Sequence, residues 1–230
     1  VLPTPAGAVL YRYAKIAFSR LETAKAEIRA LAHEVTGDLR IGSSSIPAHH
    51  VLPKVLATFT RAHPQVRPSL MVASSTAILR QVLEGELMAG IVGANILPVP
   101  DIISTPVLDS DIVIIAPANI EGLPLCPPPV LEGDILPEIS FDAACSLHWI
   151  LREDSSTTRQ AFEASLRQTG YDVRLLQSKL VVDSAHAAFQ YVQAGLGVSI
   201  AARIAVQDAL ARGDIQAFNL AGVRAARQFS

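Results

Sequence analysis

The chain has 230 residues, 50% of them apolar, which is enough to bury one large core or two modest ones. Its 19 basic and 21 acidic residues leave a formal charge of −2, so it carries none of the bulk positive field that nucleic-acid domains present to phosphate. Cys126 and Cys145 fit neither a disulfide framework nor a metal motif, and no apolar run reaches the ~20 residues of a membrane helix. Arg12, Lys15 and Arg20 interrupt the N-terminal segment, which therefore does not read as a signal peptide; a cytoplasmic protein is expected.

Thr4-Pro5 supplies an N-cap and a first-turn proline for a long helix. Leu10, Ala14, Ala17, Leu21, Ala24, Ile28 and Leu31 then recur at alternating intervals of four and three, the rhythm of a helix that packs along a partner. From Pro5 to Val35 such a helix extends roughly 45 Å. That is longer than a compact domain needs to cover its own core, so self-association through this helix is expected.

After Gly37 strands and helices alternate, which predicts parallel sheet built from βαβ units. Strand 39–42 runs into Ser43-Ser44-Ser45, and a helical pattern follows over 51–63, with Pro53 predicting a kink or restart. Strand 67–73 leads to Ser74-Ser75-Thr76 and a helix over 77–83; strand 89–92 follows. Segments 102–108 and 112–116 read as strands, the second unusually apolar. Between Pro117 and Leu136 the period is lost in a stretch that includes Pro127-Pro128-Pro129, an apolar, loop-rich entry to a second domain. The rhythm then restarts. Strand 149–151 leads to Asp154-Ser155-Ser156-Thr157-Thr158 and a helix over 159–168. Strand 175–182 leads to Asp183-Ser184 and a helix over 185–194. Gly195-Leu196-Gly197 turns into strand 198–201, a last helix runs to Ala211, and returning strands follow at 215–218 and 225–229.

Three hydroxyl clusters stand at strand-to-helix junctions. One serine suffices to cap a helix, so three or four hydroxyls in a row point beyond capping to a ligand. Neutral hydroxyl and N–H donors suit an anion that must bind reversibly. The candidate ligand groups are Ser43, Ser44, Ser45, Ser75, Thr76, Ser155, Ser156 and Thr157, with Arg159 as a possible guanidinium clamp. His49-His50 has no acidic or thiol companion at ligand spacing, and adjacent helical residues project about 100° apart, so no metal is expected. No Gly-x-Ser-x-Gly elbow is present, and Gly195-Leu196-Gly197 lacks a third glycine and precedes a strand, so neither a serine nucleophile nor a dinucleotide cofactor is assigned. No catalytic residue is expected, and no cofactor.

Several of these segments resemble LysR-type transcriptional regulators. Thr4-Pro5-Ala6-Gly7 ahead of a long helix looks like their linker helix, and Gly37-Asp38-Leu39-Arg40-Ile41-Gly42 like the start of their effector-binding domain. Leu52-Pro53 with Phe59 and His63-Pro64, Leu83-Glu84-Gly85-Glu86-Leu87 with Gly90-Ile91-Val92-Gly93, and Gln193-Ala194-Gly195-Leu196-Gly197-Val198 follow in the family's order. The family often has an acidic residue after the Gly-Glu-Leu step, where this chain has Met88-Ala89.

The resemblance implies an α/β fold of two Rossmann-like subdomains of the type-II periplasmic-binding-protein kind, preceded by a long linker/dimerisation helix. It places that helix at 1–36, the first subdomain at 37–117 with 222–230, and the second at 118–221. It further implies a small, anionic metabolite as effector in the cleft between the subdomains, and homodimers or homotetramers. Promoter DNA would be bound only through the winged helix-turn-helix that the family carries ahead of its linker helix, which this sequence lacks. No membrane partner is implied. The rival expectation is a free-standing solute-binding protein of the same architecture.

Overall fold

A computed structural model describes residues 3–31, 35–93, 101–123, 125–126 and 136–230. The proline run at 127–129 therefore lies outside the described residues, as do residues 32–34 of the expected N-terminal helix. The chain divides into two compact units, Val1–Val107 with Phe229–Ser230, and Leu108–Gln228.

In the first unit, α1 spans Pro5–Leu31, and Thr4 caps it by accepting from the Gly7 N–H at 3.1 Å. Leu10, Tyr13, Phe18 and Leu21 stand 57–71% exposed along it. Lys15, on the same helix, forms an ion pair with Glu86. β1 (Gly37–Ser43) pairs in parallel with β2 (Val66–Val72) and with β3 (Ala89–Ile91), giving the order β2-β1-β3. The crossovers between them are helical, as parallel pairing requires. The first comprises α2 (Ser45–His50) and α3 (Leu52–Ala62), and the second is α4 (Ser75–Leu83). The predicted restart is observed. Val51 separates α2 from α3, and Pro53 sits in the first turn of α3, where its missing N–H would have no partner anyway.

Ile78, Leu87 and Val92 form one buried cluster of this unit, in which Ile41, Ile46 and Leu52 are buried as well. Gly42 belongs to that packing, because a Cβ there would lie 2.5 Å from Leu87 Cδ1 and 2.7 Å from Ile78 Cδ1. The core thus requires glycine immediately before the first serine cluster. The segment 102–107 is not the strand expected of it. Thr105-Pro106 interrupts the ladder by removing a donor, Ile103 is 97% exposed, and regular pairing begins only at Leu108.

In the second unit the organising strand is β4 (Leu108–Pro117). Its contacts place it there, whereas the sequence reading counts it with the first subdomain. Ile112, Ile114 and Ala116 enter one core cluster and Val113 and Ile115 the other. Burial on both faces explains the unbroken apolar run at 112–116. Two short strands, β5 (Leu125–Cys126) and β6 (Glu138–Ile139), and the single-turn α5 (Phe141–Cys145) follow, all too short to leave a period in the sequence. β7 (Trp149–Arg152) divides its side chains as β4 does, with Trp149 and Leu151 to the first cluster and Ile150 to the second.

α6 spans Thr157–Gln168. The expected strand 175–182 starts late: residues 173–175 form a 3-10 turn capped by Asp172, whose Oδ1 accepts from the Arg174 N–H at 3.0 Å, and β8 covers only Ser178–Val182, parallel to β7. α7 (Ala185–Gln193), β9 (Ser199–Ala202), α8 (Arg203–Arg212), β10 (Ile215–Leu220) and β11 (Ala226–Phe229) complete the chain. The larger sheet has the order β11-β4-β10-β6-β5, with β9 also paired to β4. Gly197 is explained by close approach: a Cβ there would lie 2.2 Å from the His148 carbonyl oxygen, to which the Val198 N–H donates at 2.8 Å. Among the described residues no helix is long and apolar enough to cross a membrane.

Candidate functional site

Of the first cluster, Ser43 ends β1 fully buried, and its hydroxyl donates to the Ser44 carbonyl at 2.9 Å. Ser45 is exposed. Ser44 is the N-cap of α2, 7% exposed, with its N–H donating to the Ile91 carbonyl at 2.9 Å and its carbonyl accepting from the Ala48 N–H at 3.1 Å. Its hydroxyl is the anomaly. Ser44 Oγ is buried, caps nothing and has no hydrogen-bond partner. A buried polar atom left so costs about 1–3 kcal/mol, and native proteins leave few of them.

That cost gives a direct prediction. Ser44→Ala removes the unmatched hydroxyl without removing a cap, so the ligand-free protein should gain about 1 kcal/mol of unfolding free energy in urea denaturation. A loss of that size would mean the hydroxyl holds the fold together.

In the second cluster Ser74 caps α4, accepting from the Ala77 N–H at 3.3 Å. Ser75 is half-buried and Thr76 exposed in the first turn, so both have hydroxyls that the cap does not consume. In the third cluster, Ser156 caps α6 through the Arg159 N–H at 3.5 Å, and exposed Ser155 reaches Glu153 Oε1 at 3.4 Å. Thr157 is half-buried at the first helical position.

Arg159 does not stand free as a clamp. Its Nη1 is 2.6 Å from Asp154 Oδ1 and donates to the Arg152 carbonyl at 2.6 Å, and its Nε donates to Glu163 Oε1 at 2.7 Å. It orders the loop around the cluster.

Sequence reasoning missed Arg227 on β11. It is 8% exposed and its Nη1 donates to Thr158 Oγ1, beside the third cluster, at 2.5 Å. Burial, with Arg152's like charge as the smaller cause, pulls its pKa down to about 10, so the guanidinium is still charged at neutral pH. The signal was the strand's phase. Arg227 shares the inward side of β11 with Phe229, while Ala226 and Gln228 point out.

Other chemistry is less developed. His49 and His50 are both exposed at the end of α2, their rings edge-on at 6.4 Å. Among the described residues no three His, Cys, Asp or Glu side chains converge to hold a metal ion. Cys145 is half-buried, and burial raises its thiol pKa, which disfavours the reactive thiolate. Within the first unit, Ile78, Val82, Met88, Ile102, Val107 and Ser230 are among the residues lining a largely apolar cavity of about 430 Å³.

Comparison with known proteins follows the same lines. Residues 32–230 match the model of the LysR substrate binding domain. The chain is 33% identical over 188 residues to the phosphonates import ATP-binding protein PhnC of Anaeromyxobacter dehalogenans, a match over 81% of this chain and 35% of that protein. It is 28% identical over 210 residues to a probable RuBisCO transcriptional regulator of Emiliania huxleyi, over 91% of this chain and 64% of the relative. The chain thus spans from about a third to two thirds of the length of these relatives. Among solved structures, the regulatory domain of Synechocystis PCC6803 CcmR in complex with 2-PG superposes with a TM-score of 0.66 at 22% identity, covering 84% of this chain and 86% of that one. With the α/β fold, the hydroxyl-lined strand ends and a family match over 199 residues in hand, this chain belongs to the LysR substrate binding domain family.

Proposed function

We propose that the chain is the effector-sensing part of a LysR-type transcriptional regulator, binding a small anionic metabolite and altering DNA binding by the whole regulator. The observation that carries the ligand reading is the Ser44 hydroxyl, buried and without a partner. Such a group calls for a partner that the chain does not supply, an ordered water, an ion or a ligand, and a ligand is the partner that fits the family match. The family match and the effector-bound regulatory domain of CcmR support the same reading. Ser44 makes the central contact, with Ser43, Ser45, Ser75 and Thr76 around it on the first unit. On the second unit Ser155, Ser156 and Thr157 form a hydroxyl cluster of their own, where Arg227 supplies positive charge and Arg159 holds the loop. In this reading α1 mediates self-association, the regulator works in the cytoplasm, and DNA is bound by a reading head outside this sequence. The regulator relatives favour this over a free-standing solute-binding protein.

Calorimetric titration with small carboxylates and phosphorylated acids tests the reading. A hydroxyl donating to a charged ligand contributes about 1.5–3 kcal/mol. Ser44→Ala should therefore weaken the ligand that binds by about ten- to a hundredfold. Equal affinity in wild type and variant would show that the ligand sits elsewhere.

A further inference from the structure

The anion reading leaves the apolar cavity of the first unit unused. It encloses about 430 Å³ and is lined from α4, from the edge strand β3 and from the segment 101–107. Close-packed interiors hold few voids larger than a water molecule, and this one falls in the size range of small-molecule sites. Its walls have a local cause. Gly90 brings α4 tightly onto β3, since a Cβ there would lie 2.6 Å from Ile78 Cγ2. Thr105-Pro106 keeps the facing segment from completing the sheet, and strand pairing resumes only at Leu108. The space between these elements is not filled by the side chains that line it.

Three large apolar side chains that stand exposed all line this cavity: Ile103 at 97%, Val107 at 59% and Met88 at 44%. Single exposed apolar residues need no explanation, whereas apolar surface gathered at one opening marks a place where something binds. The charge of the lining says what kind of molecule that is. Among the described lining residues Asp101 is the one with an ionisable side chain, and no lysine or arginine accompanies it. A carboxylate beside apolar surface repels an anion and accepts from a neutral donor. The exposed hydroxyls of Ser104 and Thr105 add further acceptors on the same segment.

We propose that this cavity is a second ligand site, for a small, uncharged, largely apolar molecule carrying one hydrogen-bond donor, as a phenol or an arylamine does. The apolar body lies against Ile78, Val82, Ile102 and Val107, and the donor is directed to Asp101. The site lies wholly on the first unit and takes a chemistry opposite to that of the anion assigned to Ser44.

N-phenyl-1-naphthylamine, a neutral arylamine whose fluorescence rises in apolar surroundings, is the probe, titrated into the whole chain. The wild type should bind it with enhanced fluorescence. Two substitutions at exposed positions test the site: Ala89→Leu fills the space, and Met88→Asp puts a second carboxylate at the opening. Each should weaken the probe by about tenfold or more, while the urea midpoint stays within the range of surface substitutions. In the wild type, heteronuclear NMR should show probe-induced shifts at the amides of 88–92 and 101–107, and excess inorganic phosphate should leave the probe bound. Absence of enhancement, equal affinity in wild type and both variants, or shifts confined to the exposed apolar residues of α1 overturns the proposal. Displacement of the probe by phosphate overturns it too, because the site would then be the anion site and not a second one.

Discussion

Trp149→Ala should destabilise the second unit by about 3–5 kcal/mol, the range for deleting a large side chain from a packed core. Trp149 is 0% exposed, lies in the larger core cluster with its ring centroid 6.1 Å from that of Phe162, and donates its indole N–H to the Ala144 carbonyl at 2.8 Å. The substitution opens a cavity and removes the indole donor from that carbonyl, which keeps the Leu147 N–H at 3.3 Å. Measured against total stabilities of about 5–15 kcal/mol, such a loss leaves a domain close to unfolding at ambient temperature. The chain has one tryptophan, so the transition is followed by circular dichroism rather than fluorescence. Trp149→Phe retains most of the volume and should cost markedly less. A loss under 1 kcal/mol for the alanine variant would mean that the cluster collapses around the gap.

Under the proposed role of α1, Leu10→Glu combined with Leu21→Glu should convert the self-associated protein to monomer at micromolar concentration. Both side chains are more than half exposed in the single chain, at 71% and 57%, so the substitutions leave its own core untouched. In an associated seam each leucine would contribute roughly 1.5–3 kcal/mol by burial, and each glutamate would instead place an unpaired carboxylate there. Sedimentation velocity reads the outcome, with circular dichroism showing the fold retained. An oligomer of unchanged size and affinity would assign the association to another surface.

Much of this architecture was written in residue patterns that physics reads locally. Pro53 announced the restart at α3 because proline is compatible with a first turn and not with a helix interior. The run 112–116 announced a strand buried on both faces. The failures were equally local in cause. The apolar residues at 102–107 look like a strand until Pro106 and the exposure of Ile103 are weighed, and β6 and α5 are too short to show a period.

For the site, the serine clusters were legible as clusters, but their division of labour was not. Ser74 and Ser156 are caps, and only burial and hydrogen bonding single out Ser44. Arg159 misled, although Glu163 four residues on is the ordinary helical partner of an arginine. Arg227 reads as a solvated charge until the phase of its strand is fixed by Phe229.

The central claim is that the proposed anion is held by the Ser44 hydroxyl, which the fold itself leaves unmatched. Amide hydrogen exchange of the whole chain, with and without a saturating ligand found by titration, tests it most directly. The account predicts that residues 43–48 gain protection, at one ligand per chain, and that the gain is lost in Ser44→Ala at the same ligand concentration. Protection confined to residues 78–92 and 101–107, which include the apolar cavity of the first unit, with no change at 43–48, would contradict it.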